Sequence, residues 1–341
     1  ACIIYTSGTS ANPKGVMLSH NSIISNIQGA RFFIEKININ NHKFLSILPL
    51  SHAYERTGGF LLPIFIGGEI FFSNNRDQLL NDLKFANPTI MVAVPRLYDV
   101  LLKKITTSMK SKNKIIRYFF HQNLILGNKK YQNRKLNLKE RILDIIINLT
   151  LRKKIKKIFG KNLKAFVSGG AALNQNSAIF FFSMDIKILQ GYGQTEFSPI
   201  ISVTPFNKIK LDKVGIPLNL TKIKISKNKE ILVKGKSLMQ GYWKDEDSTK
   251  NTIINGWLHT GDLGSIDDEN YLKILGRKNE MIVNSGGENI APAPLEELIL
   301  NNEVIEQIMV YGHGKPYLVA LVYPSEKNKN NKKQIKKLFD Q

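Results

Sequence analysis

Residues Tyr5 to His20 read YTSGTSANPKGVMLSH, and the reading of this stretch decides the fold. The apolar run ACIIY ahead of its polar part predicts a short strand. TSGTSANPKG is a polar turn with two Gly, one Pro and one Lys, and VMLSHNSIISNIQ continues at helix-compatible spacing. The expected unit is a strand, a phosphate-type loop and a helix. Gly8 and Gly15 permit close backbone approach, which leaves N–H groups free to face an anion. Thr6, Ser7, Thr9 and Ser10 add hydroxyls and Lys14 a positive charge. A Walker loop is excluded, because Lys14 follows Pro13 and precedes Gly15. A hydroxyl-rich surface turn is the competing reading of the same residues.

Working outward, 341 residues with 43% hydrophobic content can bury a large core and suit more than one domain. The single cysteine, Cys2, excludes an intrachain disulfide, and no signal segment precedes the first strand, which fits a reducing, cytoplasmic setting. The longest apolar run, Phe60 to Phe72, is broken by Pro63, Gly67, Gly68 and Glu69 and is too short for a bilayer span. A net charge of +22 raises nucleic acid or an anionic membrane as partner. Abundant Lys, Asn and Ile also suit an AT-biased coding sequence, which accounts for part of the basicity without any partner.

KFLSILPLSHAYERTGGFLLPIFIGGEIFF reads as strand, polar turn, apolar helix and strand, ending at Phe72. A helix over Gln78 to Lys84, a buried strand over Thr89 to Val94 and a helix from Pro95 continue a βαβ rhythm, so the sheet is expected to be mostly parallel. Between Lys103 and Lys164 stand 19 Lys and Arg against two acidic residues, with apolar positions at helical spacing. These amphipathic basic helices either lie over the sheet with solvated faces or meet an anionic membrane beside Phe119, Phe120 and Ile145 to Ile147. Nucleic acid is not expected, since no aromatic stacking platform is interleaved with the charge. Leu163 to Leu173 gives strand, Gly turn and helix, and DIKILQGYGQTEFSP a strand running into a Gly-rich turn over Gln190 to Ser198, the kind of strand end where open α/β sheets place ligands. Phe180 to Phe182 reads as core. From Val214 short alternating strands predict a small β-rich subdomain; then come strand, Gly turn and helix, two further strands, and a frayed Lys/Asn-rich end from Ser325.

YTSGTSANPKG, GYGQTE, GWLHTGDLG and GRKNEMIVNSGGENIAP stand together in this order over nearly the whole chain. The set resembles the acyl-adenylate-forming (AMP-binding) synthetase superfamily, and LPLSHAYER with VPRLYDVLLKKI is similar to its long-chain fatty acyl-CoA synthetase branch. The resemblance implies an α/β adenylate-forming synthetase fold, with mostly parallel sheets, helices on their faces, a small β-rich subdomain and a partial mobile α+β C-terminal domain. Expected boundaries are 1–211 for the nucleotide- and acyl-binding part, 212–277 for the β-rich subdomain and 278–341 for the mobile domain. It also implies an ATP-dependent fatty acid to CoA ligase that forms acyl-AMP with loss of pyrophosphate and then a thioester with CoA. Transfer to a carrier protein, and a non-catalytic remnant binding nucleotide or membrane, are the alternatives.

By the same resemblance, Thr6, Ser7, Gly8, Thr9 and Lys14 would hold the β and γ phosphates. Glu196 with Thr6 would hold Mg2+, and Thr6, Lys14 and Glu196 would be the catalytic set. Gly170, Ala171, Gln190, Gly191, Tyr192, Gly193 and Thr195 would form the adenine and α-phosphate site. Asp262 would accept from the ribose hydroxyls, supported by Arg277; without the motif it would be a turn Asp beside Gly261. His52 and Tyr54 would lie near the acyl and nucleotide pockets, with Glu55 and Arg56 open to pair with each other. Gly286, Gly287 and Glu288 would approach the CoA tunnel after rotation about Lys278 and Asn279. The chain departs from the family at Ser10 and Ala11, where Thr and Gly are usual, and at Asn279, where Asp or Lys is usual. The opening residues already lie in the loop-bearing strand, and the family's C-terminal lysine motif is not matched by Lys332, Lys333, Lys336 or Lys337. A polypeptide shorter than the family at both ends is therefore expected.

Overall fold

Side chains alternate across the central strands, and this alternation builds the fold. Ile90, Ala165 and Leu189 enter one core with Ile27, Ala30, Ile34, Phe44 and Leu62, while their neighbours Met91, Phe166 and Ile188 enter another with Tyr98, Phe159, Phe180 and Phe181. Both faces are therefore covered by helices, the condition under which parallel strands read as unbroken apolar runs; Ile90–Ala93 is buried at every position. The computed structural model describes residues 1–6, 13–73, 78–300, 304–329, 331 and 335–336.

Seven strands form the main sheet in the order Glu69–Phe72, Lys43–Ser46, Ile90–Ala93, Ala165–Ser168, Lys187–Gly193, Ile200–Val203 and Ile216–Pro217. The first five run parallel and the last two pairings are antiparallel, so the sheet is mostly parallel as expected. Pro95 opens the helix Pro95–Lys110, where its fixed φ and missing N–H cost nothing. Asn174 caps the helix Gln175–Ser183 by accepting from the amides of Asn176 and Ser177, so this helix begins beyond Leu173. Phe180 and Phe181 are buried, as expected of core.

Two expectations are corrected. Lys14–Leu18 is a strand, not the start of a helix: it pairs antiparallel with Cys2–Thr6 on one side and with Gly241–Tyr242 on the other. The helix waits for Ser19, whose side chain accepts from the Ser22 amide, and runs over His20–Glu35. The turn expected over Gln190 to Ser198 is strand as far as Gly193, because Gly191 to Gly193 find antiparallel partners in Ile200–Val203. At Gly193 a Cβ would stand 2.0 Å from the Pro199 carbonyl, so only glycine admits this close return.

The chain divides into two units, Ala1–Lys224 with Leu232–His259 and Ile266–Lys273, and Ile225–Ile231 with Thr260–Ser265 and Ile274–Gln341. The first holds the main sheet and the three-stranded sheet of Cys2–Thr6, Lys14–Leu18 and Gly241–Tyr242. A five-stranded sheet runs in the order Lys222–Ile225, Glu230–Lys234, Trp257–Ile266, Ile253–Ile254, with Leu272–Arg277 beside Trp257–Ile266. The second unit carries the hairpins Ile282–Val283 with Asn289–Ile290 and Ile305–Tyr311 with Val319–Pro324, and the helix Pro292–Leu300. Among the described residues no helix is long and apolar enough to cross a membrane.

Candidate functional site

Lys14 opens its strand opposite Thr6, which closes the preceding one. Ser7, Gly8 and Thr9 lie outside the described residues. The Lys14 ammonium donates to Ser248 Oγ at 2.7 Å and sits over the Tyr242 ring at 5.0 Å from its centroid. Tyr242 is buried, and its hydroxyl donates to Glu196 Oε1 at 2.9 Å. One side chain thus joins the two residues picked out as phosphate and metal ligands: Lys14 meets its face and Glu196 its hydroxyl. Burial, then the Glu196 carboxylate, pushes the Tyr242 phenol far above its ordinary range, so it stays a donor. Asp245 caps the next helix by accepting from the Ser248 amide; that hydrogen-bonding residue and the nearby Lys14 hold its carboxyl below the usual range.

The segment carrying Glu196 is held from several directions. Asn26, fully buried on the helix His20–Glu35, donates to the carbonyls of Phe197 at 3.1 Å and Ile200 at 2.7 Å and accepts from the Ile200 amide at 3.2 Å. Ser198 Oγ donates to the Ser237 carbonyl and Thr57 Oγ1 to the Ser198 carbonyl. The Met239 amide donates to the Glu196 carbonyl. Such a mesh fixes the backbone around Glu196 before any ligand arrives.

The strand Ala165–Ser168 ends in Gly169 and Gly170, the latter at φ +85, and leaves Gly170 and Ala171 exposed. Gln190 is buried and donates to the Leu211 carbonyl at 2.5 Å, while Gly191, Tyr192 and Gly193 lie in strand and Thr195 opens the short turn bearing Glu196. Tyr54 donates to the Val167 carbonyl at 2.9 Å and lies against Gly169, where a Cβ would come within 3.0 Å of its ring. His52 is exposed, and its Nδ1 accepts from the Tyr54 amide as a helix cap. Glu55 does not pair with Arg56: it is fully buried, accepts from Ser46 Oγ at 2.5 Å, and burial raises its pKa to about 7.

In the second unit Asp262 lies within the strand Trp257–Ile266 and not in a turn, although Gly261 beside it has φ +69. Asp262 is buried and meets Arg277 Nε at 2.9 Å. Lys278 is engaged in parallel, by Glu230 at 3.3 Å, and Glu230 also accepts from the Gly261 amide at 3.1 Å. Asn279 follows in the short turn Lys278–Glu280. Gly286, Gly287 and Glu288 form an exposed hairpin turn organised by Asn284, whose Oδ1 accepts from the Gly286 and Glu288 amides and whose amide group donates to the Glu288 carboxylate.

Tyr242, Asn26, Ser248 and Glu230 were not singled out from the sequence. Asn26 left a trace, a polar residue on the apolar side of an amphipathic helix; Tyr242 left none, since its partners are 46 and 228 positions away in sequence. The arrangement can do two things chemically: offer a fixed cation and hydroxyls to an anion, and offer hard oxygen donors to a small ion. Glu196 and Thr6 suit Mg2+ in donor type. Among the described residues no cluster of three His, Cys, Asp or Glu could hold a metal, so an ion here would draw most of its shell from water and phosphate.

The family model described as AMP-binding enzyme matches residues 1–243, and that of the AMP-binding enzyme C-terminal domain matches residues 279–341. The chain belongs to the AMP-binding enzyme family. Long-chain-fatty-acid–CoA ligase FadD15 of Mycobacterium bovis is 32% identical over 94% of this chain and 54% of its own length. Long chain acyl-CoA synthetase 3 of Arabidopsis thaliana is 31% identical over 95% of this chain and 51% of its own. The chain therefore spans about half the length of these curated relatives. In fold it is similar to o-succinylbenzoate CoA synthetase of Bacillus subtilis in complex with its acyl-adenylate, with TM-score 0.74 and 21% identity, covering 99% of this chain and 62% of the other. ATP-bound MatB of Rhodopseudomonas palustris gives TM-score 0.74 and 22% identity over 99% and 60%. The adenylate-forming synthetase fold is thus shown.

Proposed function

We propose that this chain is the nucleotide-handling portion of a long-chain fatty acid to CoA ligase, which activates a fatty acid with ATP to acyl-AMP and pyrophosphate and passes the acyl group to the CoA thiol. The observation that carries it is the convergence of Lys14 and Glu196 on Tyr242, in a chain about a third identical to named long-chain ligases. Lys14, Thr6, Ser7, Gly8 and Thr9 hold the β and γ phosphates; Glu196 and Thr6 hold Mg2+, which when bound offsets phosphate charge. Gly170, Ala171 and Gln190 to Thr195 receive adenine and α-phosphate. Asp262 accepts from the ribose hydroxyls with Arg277 steadying its carboxylate. His52 and Tyr54 lie toward the acyl group, and Gly286 to Glu288 toward CoA after rotation at Lys278 and Asn279. One cysteine supports a cytoplasmic setting, and the basic helices support contact with a membrane.

Palmitate-dependent ATP–pyrophosphate exchange tests the reading, with AMP binding measured beside it and CoA and a carrier protein compared as acceptors. Exchange that rises with palmitate, followed by palmitoyl-CoA, is expected. A chain that binds AMP yet shows no exchange with any long-chain acid overturns the fatty-acid assignment.

A further inference from the structure

Both acidic residues between Lys103 and Lys164 are turned inward. Glu140 pairs with Lys129, while Asp144 pairs with Lys130 at 2.6 Å and with Arg152 at 2.7 Å, so the helix Leu138–Ile147 is bolted by its acidic side to the helix Lys114–Tyr131 and the turn after it. Arg152 is itself buried and donates to Asn123 Oδ1 at 2.7 Å and the Ser183 carbonyl at 2.9 Å. Phe120 and Ile147, which the membrane alternative named, are buried in the core, and Phe119 packs against it.

The outward side is of another kind. Leu138, Ile142, Ile145, Ile146 and Leu149 recur at helical spacing along one stripe, each 41 to 74% exposed. Exposed Lys139 and Arg141 flank this stripe on its two sides, with exposed Arg134 and Lys135 before it and Lys153 and Lys154 after it. None of these six cations has an ion pair among the described residues. An apolar stripe bordered by unpaired cations, with the helix's own two acids, Glu140 and Asp144, already paired on its other side, matches a surface that is apolar within and anionic at its rim.

The geometry points to this face of Leu138 to Leu149 as the docking surface for an anionic lipid bilayer, the helix lying in the interface with its aliphatic stripe among acyl chains and its flanking cations at phosphate level. A second copy of the chain is the poorer occupant, since self-docking brings the two cationic borders together with no acid to answer them. Nucleic acid is poorer too, since the stripe offers no aromatic platform. The inference deepens the reading of the basic helices as membrane-facing and does not depend on the ligase assignment.

Co-sedimentation of the 341-residue chain with phosphatidylcholine vesicles, with and without phosphatidylglycerol, is the test. Sedimentation velocity without lipid and AMP affinity are recorded for the same samples. The wild type is expected to bind the phosphatidylglycerol vesicles, and I142D/I145D and K139E/R141E each to weaken that binding on the order of tenfold or more, with AMP affinity unchanged. Leu138→Ser and Leu149→Ser are milder probes if the double variants fail to fold. Wild-type binding that survives the apolar substitutions overturns the proposal, as does absence of vesicle binding. So does a dimer that the variants dissolve in the absence of any vesicle binding, which would make a second copy the occupant.

Discussion

The Tyr242 hydroxyl donates to Glu196 Oε1 at 2.9 Å while the same ring lies beneath the Lys14 ammonium at 5.0 Å. A hydrogen bond to a charged acceptor contributes about 1.5–3 kcal/mol, and a cation over an aromatic face about 0.5–1 kcal/mol at an exposed site. Tyr242→Phe removes only the first. The expected result is a several-fold weaker affinity for ATP with Mg2+, measured by calorimetry without fatty acid, and little change in ATP affinity without the ion. Tyr242→Leu should weaken both. No loss in Tyr242→Phe beside a clear loss in Tyr242→Leu would mean that the tyrosine only fills space.

Asn26 makes three hydrogen bonds to the backbone around the Glu196 turn from a fully buried position. Asn26→Leu leaves those buried groups without partners, which costs about 1–3 kcal/mol per group and is not additive. Unfolding in urea should show a loss of about 3 kcal/mol, with ATP binding in the presence of Mg2+ impaired in the fraction that remains folded. Asn26→Asp keeps the acceptor to Ile200 but sets a buried carboxylate oxygen against the two carbonyls, and should cost at least as much.

Asp262 is buried and meets Arg277 Nε at 2.9 Å, but half of the arginine side chain is open to solvent. The pair therefore contributes more to orienting the carboxylate than to stability. Asp262→Asn should lower ATP affinity by about tenfold, the scale of a lost hydrogen bond to a charged group. Deoxy analogues lacking a ribose hydroxyl should bind the variant and the parent nearly alike. Equal losses for ATP and the deoxy forms would remove Asp262 from the ribose site.

What the sequence disclosed was local. Ile90–Ala93 before Pro95 and Ala165–Ser168 before Gly169 and Gly170 are apolar runs closed by breakers, and both are strands of the main sheet. Val16 to Leu18 read as the start of a helix because their spacing fits a helix as well as a strand. What decides is pairing, in five register pairs with Cys2–Thr6 on one side and, on the other, with Gly241–Tyr242 more than 220 residues further on. Tyr242 itself is one more apolar position in a short run until that pairing sets it between Lys14 and Glu196. The exposed apolar stripe was half legible for the same reason: periodicity announced an amphipathic helix, but only packing told exposed Ile145 and Ile146 from buried Ile147.

Glu55 gives the last prediction. Its carboxyl is fully buried, accepts from Ser46 Oγ, and has an Oε2 with no hydrogen-bond partner; the Gly59 position one turn on is crowded against it, since a Cβ there would lie 2.3 Å from Oε1. Burial raises its pKa from 4.5 to about 7. The folded state thus binds a proton that the unfolded chain has released between these values, and stability falls as pH rises through that window. The contribution is complete below the unfolded value and lost above pH 7, and amounts to about 3 kcal/mol. Glu55→Gln, which is neutral at every pH, should remove this slope: melting temperatures at pH 5 and pH 8 should draw together relative to the parent. Because acids elsewhere titrate in both proteins, the difference between parent and variant is the quantity to read. A parent and variant with parallel profiles would mean that Glu55 is ionised in the folded protein, with a partner supplied by water at Oε2.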